Sequence, residues 1–283
     1  MPSPSQASHD YPSLQGRVVI VTGGNRGLGR EMALALVAHG ANVTVTSQTG
    51  GESLAETARQ AEALGAGEIL ALQGNVADWD DCRWVMDQTL ARFGAVHSLI
   101  NNAGRGMRLI SETFNTVSTK FWEADVAAWK EIIDVNINGT FMMARAVTPH
   151  LVSRGFGKII NISTSDITMT RQGYTPYGPS KTAIEAASAA WSVELADTGV
   201  SVNVLLPGGA MDTDLLPPGP DKKGADGNLL DPAIMRAPAL WLCADQSNDY
   251  TGRRLIARQW KNNIDPTQAA QGTFVSPGVL GGV

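Results

Sequence analysis

The sequence is poor in cysteine, histidine and aromatic residues, and each scarcity removes a class of protein. Two cysteines in 283 residues, Cys82 and Cys243, cannot build a disulfide framework and point to a reducing, cytoplasmic setting. The four histidines, His9, His39, His97 and His150, are scattered without ligand spacing, so no metal site is expected. Basic residues are outnumbered, 22 Lys and Arg against 27 Asp and Glu. The resulting net charge of −5 argues against nucleic acid or an anionic membrane as partner, a local basic patch apart. No apolar run is long enough to span a bilayer. The Ser- and Pro-rich start, Met1 to Gln15, has no apolar core segment, so it reads as a mobile tail and not as a secretory signal.

What is present suits a globular chain with a substantial core: 43% hydrophobic and 17% charged residues. Short β-branched runs alternate with helical spacing. Strands are expected at Val18–Thr22, Val43–Ser47, Ile69–Gln73, Ser98–Asn101, Lys158–Ser163, Ser201–Leu206 and Arg254–Ala257. Helices are expected between them, the clearest from Ser53 to Leu64, Asp80 to Phe93, Ala127 to Val152, Tyr177 to Asp197 and Pro232 to Cys243. That rhythm implies βαβ units and an α/β, single-domain, Rossmann-like doubly wound fold. Its parallel sheet has about seven strands, with helices on both faces. No linker divides two cores. Residues 14–260 form the domain, residues 1–13 the N-terminal tail, and residues 261–283 a C-terminal tail that is loose or lies on a neighbouring subunit.

Two irregular segments break the rhythm, Arg105 to Asp125 and Gly208 to Asp231. Both follow strands, so both fall at the carboxyl ends of the sheet, where such folds bind ligands. Their apolar residues Phe114, Phe121, Trp122, Met211, Leu215 and Leu216 are either core or the wall for a hydrophobic or aromatic substrate. Arg105 and Arg108 are either solvated loop charges or anchors for an acidic group.

The first strand ends in Thr22-Gly-Gly-Asn-Arg-Gly-Leu-Gly29, directly before a helix. Glycine permits a tight turn and close backbone approach to a pyrophosphate, and the helix N-terminus directs amides and a positive dipole end at the anion. The second strand ends at Ser47-Gln48-Thr49 without the acidic residue that would hold an NAD ribose. Arg26 can pair with a 2′-phosphate, so NADP(H) is favoured; with Arg26 merely solvated, NAD(H) is used. Further along, Tyr177 and Lys181 stand four residues apart, about one helical turn. A phenol beside an ammonium can move a proton near neutral pH.

This ordered set resembles the short-chain dehydrogenase/reductase family, in its Tyr-x-x-x-Lys branch of NAD(P)-dependent alcohol dehydrogenases and ketone reductases. The matching elements are the glycine turn, Asn75-Val76, Asn101-Asn-Ala-Gly104, Asn136, Tyr177-x-x-x-Lys181 and Pro207-Gly208, over about residues 14 to 257. The resemblance implies that Tyr177 gives or takes the proton. Lys181 would bind the nicotinamide ribose and lower the tyrosine pKa, and Asn136 would hold a water of the proton relay, unless its amide is purely structural. It assigns Gly23, Asn25, Arg26, Gly27, Leu28 and Gly29 to the dinucleotide, with Ser47 and Gln48 at the end of the second strand. Asn75 and Val76 would contact adenine. Asn101, Asn102, Ala103 and Gly104 would line the adenosine side and support the sheet. Pro207, Gly208 and Thr213 would lie at the nicotinamide, although the interval to Thr213 is one residue longer than usual. Family members also pair through the helix that carries the lysine, so a homodimer or homotetramer is expected. In this chain Ala183, Ala186, Ala187 and Ala190 make one side of that helix smooth.

One position departs from the family. The usual serine thirteen residues before the tyrosine is Thr164 here, within Ile162-Ser-Thr-Ser165. Threonine keeps the hydroxyl but its methyl restricts χ1. Ser163 or Ser165 takes the role instead if the strand end bulges. The leading expectation is therefore an NADP(H)-dependent oxidoreductase acting on a small-molecule ketone or secondary alcohol. A non-redox NADP(H) sensor and a lyase or epimerase on the same scaffold are the other classes.

Overall fold

The computed structural model describes residue 11 and residues 13–219, 222–224 and 227–275. The first half of the chain runs β1 (Val18–Thr22), α1 (Gly27–Ala38), β2 (Asn42–Ser47), α2 (Glu52–Glu62), β3 (Ile69–Gln73), α3 (Trp79–Phe93) and β4 (Ser98–Asn101). The second half runs α4 (Val126–Ile133), α5 (Thr140–Arg154), β5 (Gly157–Ile162), α6 (Asp166–Met169), α7 (Tyr177–Glu194), β6 (Val200–Leu206), α8 (Arg236–Cys243), β7 (Arg254–Ile256), α9 (Pro266–Gln271) and β8 (Phe274–Val275). The strand order is β3-β2-β1-β4-β5-β6-β7-β8. Seven strands are parallel and β8 pairs antiparallel with β7. The order reverses between β1 and β4, and the crevice at that switch point is where doubly wound sheets bind ligands.

Alternation along the strands explains the two helical layers. Val19 and Val21 of β1 join a core with Met32 and Leu36 of α1 and Leu240 and Trp241 of α8. Ile20, between them, joins a second core with Val85 and Met86 of α3 and Met143 and Val147 of α5. Side chains two apart on a strand share a face, so a β-branched run with no polar interruption is buried on both. Helix ends follow local chemistry. Asp78 caps α3 through the amides of Asp80 and Asp81, and Gly94, in the left-handed region at φ 74°, ends it.

Three differences from the sequence reading have physical causes. The single long helix expected over 127–152 is α4 and α5 joined by a π-helical turn, Asp134–Gly139. The Asn136 side chain there is engaged by the backbone of the segment after β4, described below. Between β5 and α7 the chain adds the short α6, which packs where Gly178 leaves room: a Cβ at Gly178 would stand 2.5 Å from the Met169 carbonyl oxygen. Finally, the stretch after residue 260 does not stand apart as far as Val275, because β8 extends the sheet. Tyr11, in the segment read as a tail, donates to Asn262 at 3.2 Å and accepts from the Trp260 indole at 2.9 Å. The other tail residues, 1–10, 12 and 276–283, lie outside the described residues. Among the described residues no helix is long and apolar enough to cross a membrane, and no His, Cys, Asp and Glu cluster could hold a metal ion.

Candidate active site

The glycine turn leaves β1 with Gly23 at φ 63° and re-enters helix through Gly27 at φ 53°, both in the region that favours glycine. Gly29 is needed for a different reason. A Cβ there would lie 2.2 Å from the Gly23 carbonyl oxygen and 2.5 Å from Asn102 Nδ2. The start of α1 has no side-chain cap and no acidic residue in its first turn, which leaves its positive end open to an anion. The turn is clamped from behind by Arg30, whose guanidinium donates to the Asn25 carbonyl at 2.5 Å, the Ser53 carbonyl at 3.1 Å and the Thr57 hydroxyl at 2.9 Å. Asn25 Nδ2 donates to Ser53 Oγ at 2.9 Å. A tight, braced, uncapped cradle of this kind fits a dinucleotide pyrophosphate.

Asn101 and Asn102 hold the β4 exit against its neighbours. Asn101 Nδ2 donates to Asn161 at 2.9 Å inside the sheet. Asn102 Nδ2 donates to the Thr22 and Gly23 carbonyls at 2.9 and 3.1 Å, and the amides of Asn102 and Ala103 both donate to Thr22 Oγ1 at 3.0 Å. Asn136 is fully buried. Its Oδ1 accepts from the Arg105 amide at 2.7 Å, and its Nδ2 donates to the Arg105 carbonyl at 3.0 Å and to Ser180 Oγ at 2.9 Å. Ser180 in turn donates to the Tyr177 carbonyl at 2.6 Å. The π turn thus fastens the β4 exit to the first turn of α7. On its other side, a Cβ at Gly139 would press on Val76 at 2.7 Å. Asn75 sits at the β3 exit, its amide donating to Asp81 at 2.8 Å.

Tyr177 opens α7 and is half-buried. Burial pushes its phenol up to about 12, opposed by a side-chain hydrogen bond with Thr164. Lys181 is buried, and its ammonium donates to the Ile162 carbonyl at 2.8 Å. Burial brings it down to about 8, with the Glu185 carboxylate pulling the other way. The sequence reading expected Lys181 to lower the phenol. In this arrangement burial dominates, and Thr164 supplies the contact that favours the phenolate. The choice among the three hydroxyls is equally concrete. Ser163 Oγ donates to Glu185 at 2.6 Å, and Ser165 Oγ lies 2.9 Å from Thr168 Oγ1, so each is engaged away from the tyrosine. Gly104 lies against Asn136 Oδ1 and Lys181 Nζ, 3.3 and 3.7 Å from its virtual Cβ.

The segment after β6 covers this centre. Gly208 takes φ 89°, and the Pro207 carbonyl accepts from the Arg258 amide at 2.9 Å. Thr213 Cγ2 would be 3.2 Å from a Cβ on Gly27, and Leu215 Cδ1 2.6 Å from one on Gly106, so the segment rests on both the glycine turn and the β4 exit. Arg26 pairs with Asp214 at 3.1 Å, both side chains exposed. Arg108 donates to the Asp214 carbonyl at 2.8 Å. Arg105 joins Gln48 at 2.5 Å and Glu131 at 3.0 Å, reaching the end of β2 where Ser47 is buried and Gln48 exposed.

A cavity of about 350 Å3 lies at the carboxyl ends of β5, β6 and β7, beside Ser165, Asp166, Gly208, Arg254 and Arg258. The apolar residues of the two irregular segments do not line it. Phe114 is buried against Tyr174, with ring centroids 5.5 Å apart, whereas Phe121 and Trp122 are 65% and 68% exposed. The residues missed in the sequence are the braces, Thr22, Arg30, Thr57 and Ser180, together with Glu185, Arg254 and Asp214. Thr22 and Ser180 lie inside the glycine-turn and Tyr-x-x-x-Lys motifs, and Glu185 follows Lys181 by one helical turn; the others carried no local signal.

The assembled groups can bind an anion at α1, hold a proton on a phenol at neutral pH, and present a second hydroxyl beside it. Comparison with known proteins agrees. Residues 17–223 match the family profile described as short chain dehydrogenase. A 3beta-hydroxysteroid dehydrogenase 1 from Eggerthella lenta is 30% identical over 256 residues, covering 87% of this chain and 94% of that protein. An acetoacetyl-CoA reductase from Cupriavidus necator is 29% identical over 249 residues, covering 83% and 94%. Among solved structures, a short-chain type dehydrogenase/reductase from Mycobacterium marinum superposes with a TM-score of 0.76 at 25% identity, over 86% of this chain and 94% of that one.

Proposed function

Because the chain belongs to the short-chain dehydrogenase/reductase family of NAD(P)-dependent oxidoreductases, we propose that it transfers a hydride between NADP(H) and a ketone or secondary alcohol, with Tyr177 as acid and base. The observation that carries this reading is the placement of Tyr177 at the start of α7, one turn before a buried Lys181 whose ammonium donates to the Ile162 carbonyl at 2.8 Å, with Thr164 just past the end of β5. When bound, the dinucleotide supplies the hydride or accepts it. The turn Gly23, Asn25, Arg26, Gly27, Leu28 and Gly29 holds its phosphates, Ser47 and Gln48 the adenosine ribose, and Asn75 and Val76 the adenine. Asn102, Ala103 and Gly104 flank it, Lys181 takes the nicotinamide ribose, and Pro207, Gly208 and Thr213 border the nicotinamide.

Tyr177 donates a proton to the substrate oxygen in reduction and accepts it in oxidation. A phenol raised to about 12 is fully protonated at neutral pH, as an acid must be. Thr164 donates to the same oxygen, where charge develops. Asn136 keeps α7 in register with the β4 exit. Leu215, 39% exposed on the segment after β6, favours a substrate with a hydrophobic or aromatic body. The Ala183, Ala186, Ala187 and Ala190 face, in which Ala186 and Ala190 are exposed, supports pairing with a second copy as a homodimer or homotetramer. Cys82 and Cys243, both buried and unpaired, support a cytoplasmic location.

The preference for NADP(H) rests on charge. No carboxylate stands at the end of β2 to repel a 2′-phosphate. Among the described residues Arg26 is held by an exposed pair with Asp214, which contributes at most about 1 kcal/mol and is easily exchanged for a phosphate. Steady-state kinetics with both cofactors test this. The Michaelis constant for NADPH is expected to be the lower one, and Arg26→Gln to raise it about tenfold, the effect of losing one charge-assisted contact, with that for NADH nearly unchanged. An equal or lower constant for NADH in the unmodified chain contradicts the preference.

A further inference from the structure

A pair of buried charges joins β7 to α7. Arg254 on β7 is 3% exposed and Glu185 on α7 is 2% exposed. Arg254 Nε donates to Glu185 Oε1 at 2.9 Å and lies equally close to Oε2, an oxygen that is buried and accepts no hydrogen bond. Arg254 Nη2 donates to Asp166 at 2.5 Å and to the Thr164 carbonyl at 3.1 Å. Ser163 Oγ shares Glu185 Oε1 at 2.6 Å. Two ions taken out of water are expensive and are often replaceable by apolar side chains at no loss of stability, so such a pair calls for a reason beyond stability.

We propose that Glu185 and Arg254 are positioning residues of the site. With Asp166 and Lys181 they form a chain of alternating charge, Asp166–Arg254–Glu185–Lys181, that keeps the Lys181 ammonium protonated and fixes the β5 exit carrying Thr164. Glu185 follows Lys181 by one turn of α7, so the two side chains share a face. Its field opposes the burial that disfavours the ammonium. Arg254 tempers that field from the other side and, through the Thr164 carbonyl, holds the backbone from which the Thr164 side chain reaches Tyr177. Asp166 on α6 balances Arg254 at the cavity edge. Tyr177 precedes Lys181 by one turn of α7, Tyr174 bears on the Tyr177 phenol, and the Arg105 guanidinium after β4 is engaged by Glu131 and Gln48. This role rests on the proposed function for its consequence in catalysis but not for its electrostatics.

The test is the titration of Lys181 in the full chain, read from the 13C shift of its side-chain Cε by NMR, with the pH dependence of kcat beside it. Glu185→Gln keeps the shape and an acceptor for Ser163 but removes the negative charge. It is expected to move the Lys181 titration downward by about one pH unit and to bring the alkaline loss of kcat down with it. Arg254→Met removes a positive charge and is expected to move the titration upward. A merely structural role would lower stability in both variants without opposite shifts. Unchanged titration in Glu185→Gln, or a shift of the same sign in both, overturns the proposal. If Arg254→Met fails to fold, the sign of the Glu185→Gln shift decides alone. Opposite shifts in a chain that reduces no ketone would uphold the charge chain and sink the proposed function instead.

Discussion

Replacing Tyr177 by phenylalanine is expected to lower kcat by about 10²- to 10⁴-fold, the contribution of a positioned general acid, while nucleotide binding stays nearly unchanged. The phenol oxygen is the only atom removed. The ring is half-buried at the start of α7, and the helix register is held by the Ser180 bond to the Tyr177 carbonyl, which phenylalanine keeps. Folding should therefore survive. The loss should appear in kcat and in kcat/KM alike, as for an interaction made only in the transition state. Isothermal titration with NADPH and steady-state kinetics on the same preparation check both halves. A variant with full turnover would remove Tyr177 from the chemistry.

Thr164→Ala should cost about 10²- to 10³-fold in kcat, the usual effect of losing one donor to a developing oxyanion. Two contributions are lost together. The substrate oxygen loses a hydrogen bond, and the Tyr177 phenol loses the side-chain contact that opposes its burial, so it becomes a weaker acid. The Thr164 backbone remains, held by Arg254. Thr164→Ser, which keeps the hydroxyl and removes the methyl, should restore most of the rate. Ser165→Ala should change it little, because Ser165 faces Thr168. Ser163→Ala is a different case. It removes a partner of Glu185 and is expected to act through that carboxylate. Full turnover in Thr164→Ala together with loss in Ser165→Ala would reverse the assignment.

Much of this arrangement was legible from residue type and order. β-Branched runs bounded by glycine marked the parallel strands, because a strand buried on both faces leaves no polar positions along it. The glycine turn was expected between a strand and a helix, and it lies between β1 and α1. The interval of thirteen residues before Tyr177 pointed to Thr164, and the neighbouring serines are engaged elsewhere in the fold.

Other features had no local sign. The π turn arises from the Asn136 bonds to Arg105, 31 residues away, and helical periodicity cannot report such a contact. Arg254 meets Glu185 across 69 residues, from opposite ends of the site. A single sequence gives no reason to join an arginine on a short last strand to a glutamate on a helix. Phe121 and Trp122 were open to two readings, core or wall, and their exposure excludes the core. These two pack on each other, 5.2 Å between centroids, a pairing that residue type alone does not announce. Arg26 and Asp214, 188 residues apart, meet only because the segment after β6 folds back over the glycine turn.

In the proposed reaction a hydride passes to a carbonyl carbon while Tyr177 protonates the oxygen. The direct measurement is reduction of a panel of hydrophobic and aromatic ketones with NADPH carrying deuterium at the transferable position, the alcohols being analysed by mass spectrometry. One deuterium on the carbinol carbon, in product that the Tyr177→Phe variant hardly forms, is the expected result. Tight binding of NADPH with no labelled alcohol from any ketone would contradict it.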